Sequence, residues 1–128
     1  MADRPAIVAA QRGIAVLTMA LIATQFFLAG AGAFGATSFD AHKTVGSVLV
    51  LVVVVAVLVA ALARRFVVHA AVLLGLTILQ LVLGTIGADE PWVGAFHGLN
   101  ALAVMGAGGT LARKTFAGRE PASGPRPA

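Results

Sequence analysis

The chain has 128 residues, 59% of them hydrophobic and 11% charged, with a mean hydropathy of +0.98. Five Asp and Glu are too few to clothe a water-facing globule of this length, which excludes an ordinary soluble domain. The absence of cysteine excludes disulfides, thiolate zinc sites, iron–sulfur clusters and Cys nucleophiles. The net charge of +4 is read as membrane topology and not as a nucleic-acid footprint.

The first apolar run spans about Gly13–Gly35. It is too long for a signal-peptide core and is expected to be a retained helix, although Ala31-Gly32-Ala33 mimics a cleavage site. The second run is about Ala41–Leu62, rich in Val and Leu, with no polar group at its middle. The third is about Phe66–Ile86. The fourth, about Val93–Leu111, is the least lipid-like, broken by His97, Asn100 and the glycines at 106, 108 and 109. A helix needs roughly 20 apolar residues to cross a bilayer, so each run is expected to span.

The connecting segments are short: Thr37–Asp40, Arg64-Arg65 and Ala88–Pro91. Short loops make successive helices antiparallel neighbours, predicting an all-α, up-down-up-down transmembrane bundle. The expected organisation is a tail over 1–12, a membrane domain over 13–112, and a Pro- and Gly-rich disordered tail over 113–128. Arg4, Arg12, Arg64, Arg65, Arg113, Lys114, Arg119 and Arg126 fall on one side, and Lys43 alone on the other. The positive-inside rule then places both termini in the cytoplasm and the protein in the inner membrane. Trp92 falls at the outer interface.

The polar residues repeat. Gln25 precedes His42 by the same interval that separates Gln80 from His97, and the two pairs are offset by 55 residues. Leu28 then matches Leu83, Gly32 matches Gly87, and Gly46 matches Ala101. Two tandem hairpins, about 13–62 and 66–112, are expected to be related by a pseudo-two-fold axis along the membrane normal. That symmetry puts His42 and His97 at one depth near the outer face, able to meet across the bundle.

Ionisable groups inside a span normally face a partner or a cavity. Two neutral imidazoles on opposite sides of a bundle can ligate a haem iron axially. Gly46 and Ala101, one turn below each His, are expected to leave room for a flat ring, with Gly32 and Gly87 packing nearby. Lys43 is placed to pair with a propionate. Gln25 and Gln80 read either as interhelical glue or as contacts to a cofactor or quinone edge, and Asn100 is a similar case. The bland alternative is that each His bonds a loop carbonyl or headgroup. His69 has no second His at its level and is expected to be interfacial. Asp40, Asp89 and Glu90 could complete a non-haem metal site with the histidines, but loop carboxylates are usually only solvated. No catalytic triad and no phosphate-binding Gly loop is present.

The segments Leu79-Gln80-Leu81-Val82-Leu83-Gly84 and Ala95-Phe96-His97-Gly98-Leu99-Asn100-Ala101, with Asp40-Ala41-His42-Lys43-Thr44-Val45-Gly46, resemble the hairpins of one four-helix half of the heme A synthase family. The chain also resembles small bacterial four-helix membrane proteins of that shape. The resemblance covers about 13–112 and implies one haem b held by His42 and His97. The family's catalytic half has a Glu three residues before the His. Here that position is Phe39, and the outer loops lack Cys, so the resemblance implies haem binding without haem hydroxylation. The function expected is electron transfer or haem handling, alone, as an oligomer or beside a membrane redox complex. The rival is an accessory subunit with structural histidines.

Overall fold

The computed structural model describes residues 5–117. It contains four helices: α1 (Pro5–Ala33), α2 (Asp40–Ala63), α3 (Val67–Ile86) and α4 (Pro91–Ala117). Arg4, Arg119 and Arg126, and most of the expected C-terminal tail, lie outside the described residues. Two boundaries differ from those expected. α1 starts at Pro5, so most of the segment read as an N-terminal tail is helical. Proline suits the first helical position, where its missing N–H has no partner to lose, and Ala, Gln and Arg propagate the helix behind it. α4 likewise continues to Ala117, through charged residues that cost a helix little.

α1, α2 and α3 are long and apolar enough to cross a membrane. Each helix packs on its two neighbours and none on the diagonal, giving a four-cornered bundle. The exterior is strongly apolar. Leu51, Leu58, Leu62, Phe27 and Val68 are all more than half exposed, as a hydrocarbon solvent permits. The interior is mixed: buried Thr77 and Thr115 donate to the carbonyls of Leu73 (2.7 Å) and Leu111 (2.8 Å). Both hydroxyls find that partner on their own helix, whereas the buried Thr18 hydroxyl has no hydrogen-bond partner among the described residues.

The repeat extends from sequence to packing. α1 buries Ala15, Thr18 and Ile22, and α3 buries Ala70, Leu73 and Thr77. α2 buries Leu49, Val53, Ala56 and Ala60, and α4 buries Val104, Gly108, Leu111 and Thr115. Each buried position in the first hairpin maps onto one in the second at the 55-residue offset. Gln11 alone departs, since its counterpart Phe66 is only partly buried. The two hairpins thus present the same register to each other.

The turns fix this register. Arg64 takes a left-handed conformation (φ 53°), and the amides of Arg64 and Arg65 bond the carbonyls of Ala61 and Ala60, both at 3.1 Å. This double bond caps the end of α2. Phe66 is also left-handed (φ 59°), so two αL residues flanking Arg65 reverse the chain within three positions. At the opposite end Ser38 Oγ donates to the Asp40 carboxylate (2.9 Å) and accepts from the Asp40 amide (3.3 Å). Asp40 also places negative charge on the first turn of α2, where the helix dipole favours it.

Candidate functional site

His42 lies on the first turn of α2 and His97 on the second turn of α4, so they approach from diagonal corners. Their ring centres are 6.1 Å apart, with planes inclined by 66°. Each ring is held in the same way. His42 Nδ1 lies 3.2 Å from the backbone oxygen of Gln25, and His97 Nδ1 lies 2.9 Å from that of Gln80. A carbonyl can only accept, so Nδ1 carries the proton in both rings. In the neutral imidazole Nε2 then holds the lone pair, and among the described residues neither Nε2 has a hydrogen-bond partner.

The glutamines return the bond. Gln25 Nε2 donates to the carbonyl of His42 and Gln80 Nε2 to that of His97, both at 3.0 Å. Each hairpin therefore closes a reciprocal Gln–His clasp between its two helices. Asn100 reinforces one of them, donating to Gln80 Oε1 (2.7 Å) and to the carbonyl of Leu76 (3.0 Å). Its counterpart in the first hairpin is Val45, so that clasp lacks the support. The side chains of Gln25 and Gln80 act here as interhelical ties, and their backbone oxygens orient the histidines.

A cavity of about 200 Å³ lies below the histidines, lined by all four helices. Its walls obey the repeat: Ile22 with Thr77, Phe26 with Leu81, and Leu49 with Val104, beside Gln25, Gln80, Gly46 and Ala101. The lining is almost wholly apolar apart from the His, Gln and Thr groups.

The small residues and Lys43 take these places. Gly46 faces the amide of Gln25, where an added methyl would sit 3.7 Å away in ordinary contact. It also lines the cavity, as does Ala101. Gly32 and Gly87 do not line the cavity. Gly32 backs onto the Phe39 ring, and Gly87 onto the backbone of Gly94, so both serve the close approach at the hairpin ends. Lys43 is exposed and stands outside the cavity wall. The glycine that touches a histidine is Gly84, where a methyl would come within 2.9 Å of His97 Cε1 and Nδ1. It lies four residues after Gln80 on the same face of α3, a spacing that does not by itself name His97 as its neighbour.

Among the described residues, no acid lines the histidine cavity. Phe39 occupies the position preceding His42 by one turn, edge-on with centroids 6.2 Å apart, and Asp40 is engaged by Ser38. Among the described residues no cluster of three His, Asp or Glu forms a metal site, so the two-His-plus-carboxylate arrangement is not assembled. His69 packs edge-on against Phe66 at the opposite end of the bundle (6.4 Å between centroids).

Fold and site together define a four-helix bundle with an apolar exterior and a symmetric histidine pair above an internal cavity. Residues 25–86 match the model of DUF6220, a family of unknown function. The matched stretch takes in Gln25, His42 and Gln80 and ends before α4 and His97. No curated protein and no solved structure matches the chain.

Proposed function

We propose that the chain crosses the inner membrane four times, with both termini cytoplasmic, and holds one haem b between His42 and His97 for electron transfer or haem handling. α4 would be the fourth crossing: its 27 residues reach about 40 Å at 1.5 Å per residue. The observation that carries the haem reading is the matched pair of clasps. Metal-ligating histidines characteristically donate their second nitrogen to a carbonyl or carboxylate, which fixes tautomer and orientation. His42 and His97 both do so and keep Nε2 available. Two imidazoles sharing a metal ion through bonds of about 2 Å have ring centres on the order of 6 Å apart. The observed 6.1 Å suits that spacing.

The cavity constrains how a haem would sit. An apolar void of about 150 Å³ is filled by one benzene, so a tetrapyrrole reaches beyond the roughly 200 Å³ enclosed here. It would extend outward between the helices, past the part-exposed Phe26 and Leu81. Lys43, exposed and next in sequence to His42, is the cation available to an acidic edge group of the ligand. The haem supplies one-electron redox chemistry; the chain supplies two oriented nitrogens, dry walls and a fixed depth near the outer face. The electron partner would be a membrane redox complex or a quinone. The likeness to one half of the heme A synthases supports the same reading.

A second reading, an accessory subunit with structural histidines, draws on the clasps themselves, which already tie helix to helix without any ligand. The experiment is a reduced-minus-oxidised visible spectrum of the detergent-purified protein expressed with haem supplied. One low-spin b-type haem per chain, lost in His42→Ala and in His97→Ala but kept in His69→Ala, is the expected result. A colourless, folded protein would overturn the haem reading and leave the second one standing.

A further inference from the structure

The end of the bundle opposite the histidines breaks the internal symmetry, and it does so around arginine. The start of α1, the α2–α3 turn and the end of α4 enclose a cavity of about 300 Å³, lined by Gln11, Arg12, Arg65, Phe66 and Thr115, with Val8 and Ala9 on one flank. The Arg12 guanidinium carbon lies 5.8 Å from the centroid of Phe116, and that of Arg65 lies 5.2 Å from Phe66. Gln11 Nε2 donates to the carbonyl of Arg65 (3.4 Å), tying the turn to α1. Arg12 Nε is buried and has no hydrogen-bond partner.

That combination is costly as it stands. The residue is half-buried, with Nε the atom closed off, and a donor of a charged group left unmade forfeits more than a neutral one. The acids among the described residues, Asp40, Asp89 and Glu90, all sit at the far end of the bundle. The cavity also lies at a particular depth. α1 has 29 residues, about 43 Å of helix, against a hydrocarbon core of about 30 Å. That excess lets its first turns stand at headgroup level, next to the α2–α3 turn to which Gln11 is bonded.

From this geometry we infer that the cavity is a binding site for a phosphate-bearing anion at the membrane surface, with Arg12 as its principal ligand. The planar fork of Arg12 suits phosphate oxygens, Thr115 and Gln11 are polar neighbours on the wall, and Val8 and Ala9 offer an apolar side to a glycerol or acyl segment. Basic pockets between helices at the cytoplasmic surface take anionic headgroups in this manner. The site is separate from the histidine pair, and its test does not read haem.

The full chain, in nanodiscs of zwitterionic phospholipid, would be titrated with a short-chain phosphatidylglycerol and, in a parallel arm, with inorganic phosphate. Thermal unfolding and native mass spectrometry would be the readouts. Phosphatidylglycerol is expected to raise the melting midpoint of the unaltered protein. Arg12→Gln should weaken its retention about fivefold, the effect of roughly one basic side chain at the surface, while Arg113→Gln, exposed and outside the cavity, should not. Arg12→Lys, which keeps the charge without the fork, should fall between them and remains informative if Arg12→Gln does not fold. Protection by inorganic phosphate alone would identify a soluble phosphate compound as the ligand, and protection by the phospholipid alone would identify the headgroup. Equal binding in the Arg12 and Arg113 variants, or no response to either anion, would overturn the site.

Discussion

Gly84→Ala tests whether the position of the His97 ring matters. The added methyl would lie 2.9 Å from His97 Cε1 and Nδ1, closer than carbon and nitrogen tolerate. The ring must swing away, and Nδ1 then leaves the Gln80 carbonyl it now meets at 2.9 Å. Overpacking costs about 1–3 kcal/mol, and the lost hydrogen bond about 0.5–1.5 kcal/mol. Against this, Gly→Ala in a helix interior gains up to about 1 kcal/mol of propensity. Gly75→Ala isolates that gain, since Gly75 lies on the same helix with open space around it. The difference between the two variants is therefore roughly 1.5–4.5 kcal/mol. Without ligand the ring can rotate and relieve much of the strain. With haem bound it cannot, so even the lower bound predicts about tenfold weaker haem retention. Thermal melts in detergent and the Soret absorbance per chain measure the two effects. Equal melting midpoints and equal haem content in Gly84→Ala and Gly75→Ala would refute the placement of His97.

Replacing either clasp glutamine separates orientation from adhesion. Gln25→Leu or Gln80→Leu should cost about 0.6–1.7 kcal/mol each, with Gln80 the costlier because Asn100 also loses an acceptor. Haem binding should persist in both, because it is the backbone oxygens that hold Nδ1; loss of haem with stability intact would contradict this. Gly87→Ala would set a methyl 2.5 Å from the Gly94 Cα, where backbone meets backbone and nothing rotates aside. It should destabilise by about 3 kcal/mol, the upper range for overpacking, and a melt within a degree of the unaltered protein would show that the α3–α4 turn is looser than drawn. The chain lacks cysteine, so single cysteines report topology directly. Ser38→Cys should react with an impermeant maleimide on intact cells, and Arg64→Cys only after permeabilisation; the reverse pattern would invert the orientation.

The helices were legible because lipid imposes one requirement, a long run without charge, and Arg64-Arg65 and Asp89-Glu90 interrupt those runs sharply. The Gln–His spacing was legible for a related reason: polar groups are rare enough in these spans that a coincidence of interval stands out. The glycines were not, because a glycine's role depends on what approaches it. Gly46 meets Gln25, Gly87 meets Gly94 and Gly84 meets His97, and none of these partners follows from helical spacing within one element. Arg12 was hidden by its own usefulness. As one of eight charges marking an inner surface it needs no further account, and only the fold reveals that it lies partly enclosed against Phe116.

The shared register of the two hairpins bears on how such a chain can be cut and rejoined. Both termini of the described chain and the α2–α3 turn lie at the same end of the bundle, and the surfaces joining α1 to α4 and α2 to α3 are equivalent. A hairpin of this kind is nearly one half of a two-fold dimer. Separated at Arg64–Phe66, each half would expose the face its partner now covers, Ala15, Leu49 and Val53 on one and Ala70, Leu73 and Val104 on the other. Two copies of one half would bring a histidine from each across the same axis. The turn joins the half that carries Arg12 to the half that carries Asn100.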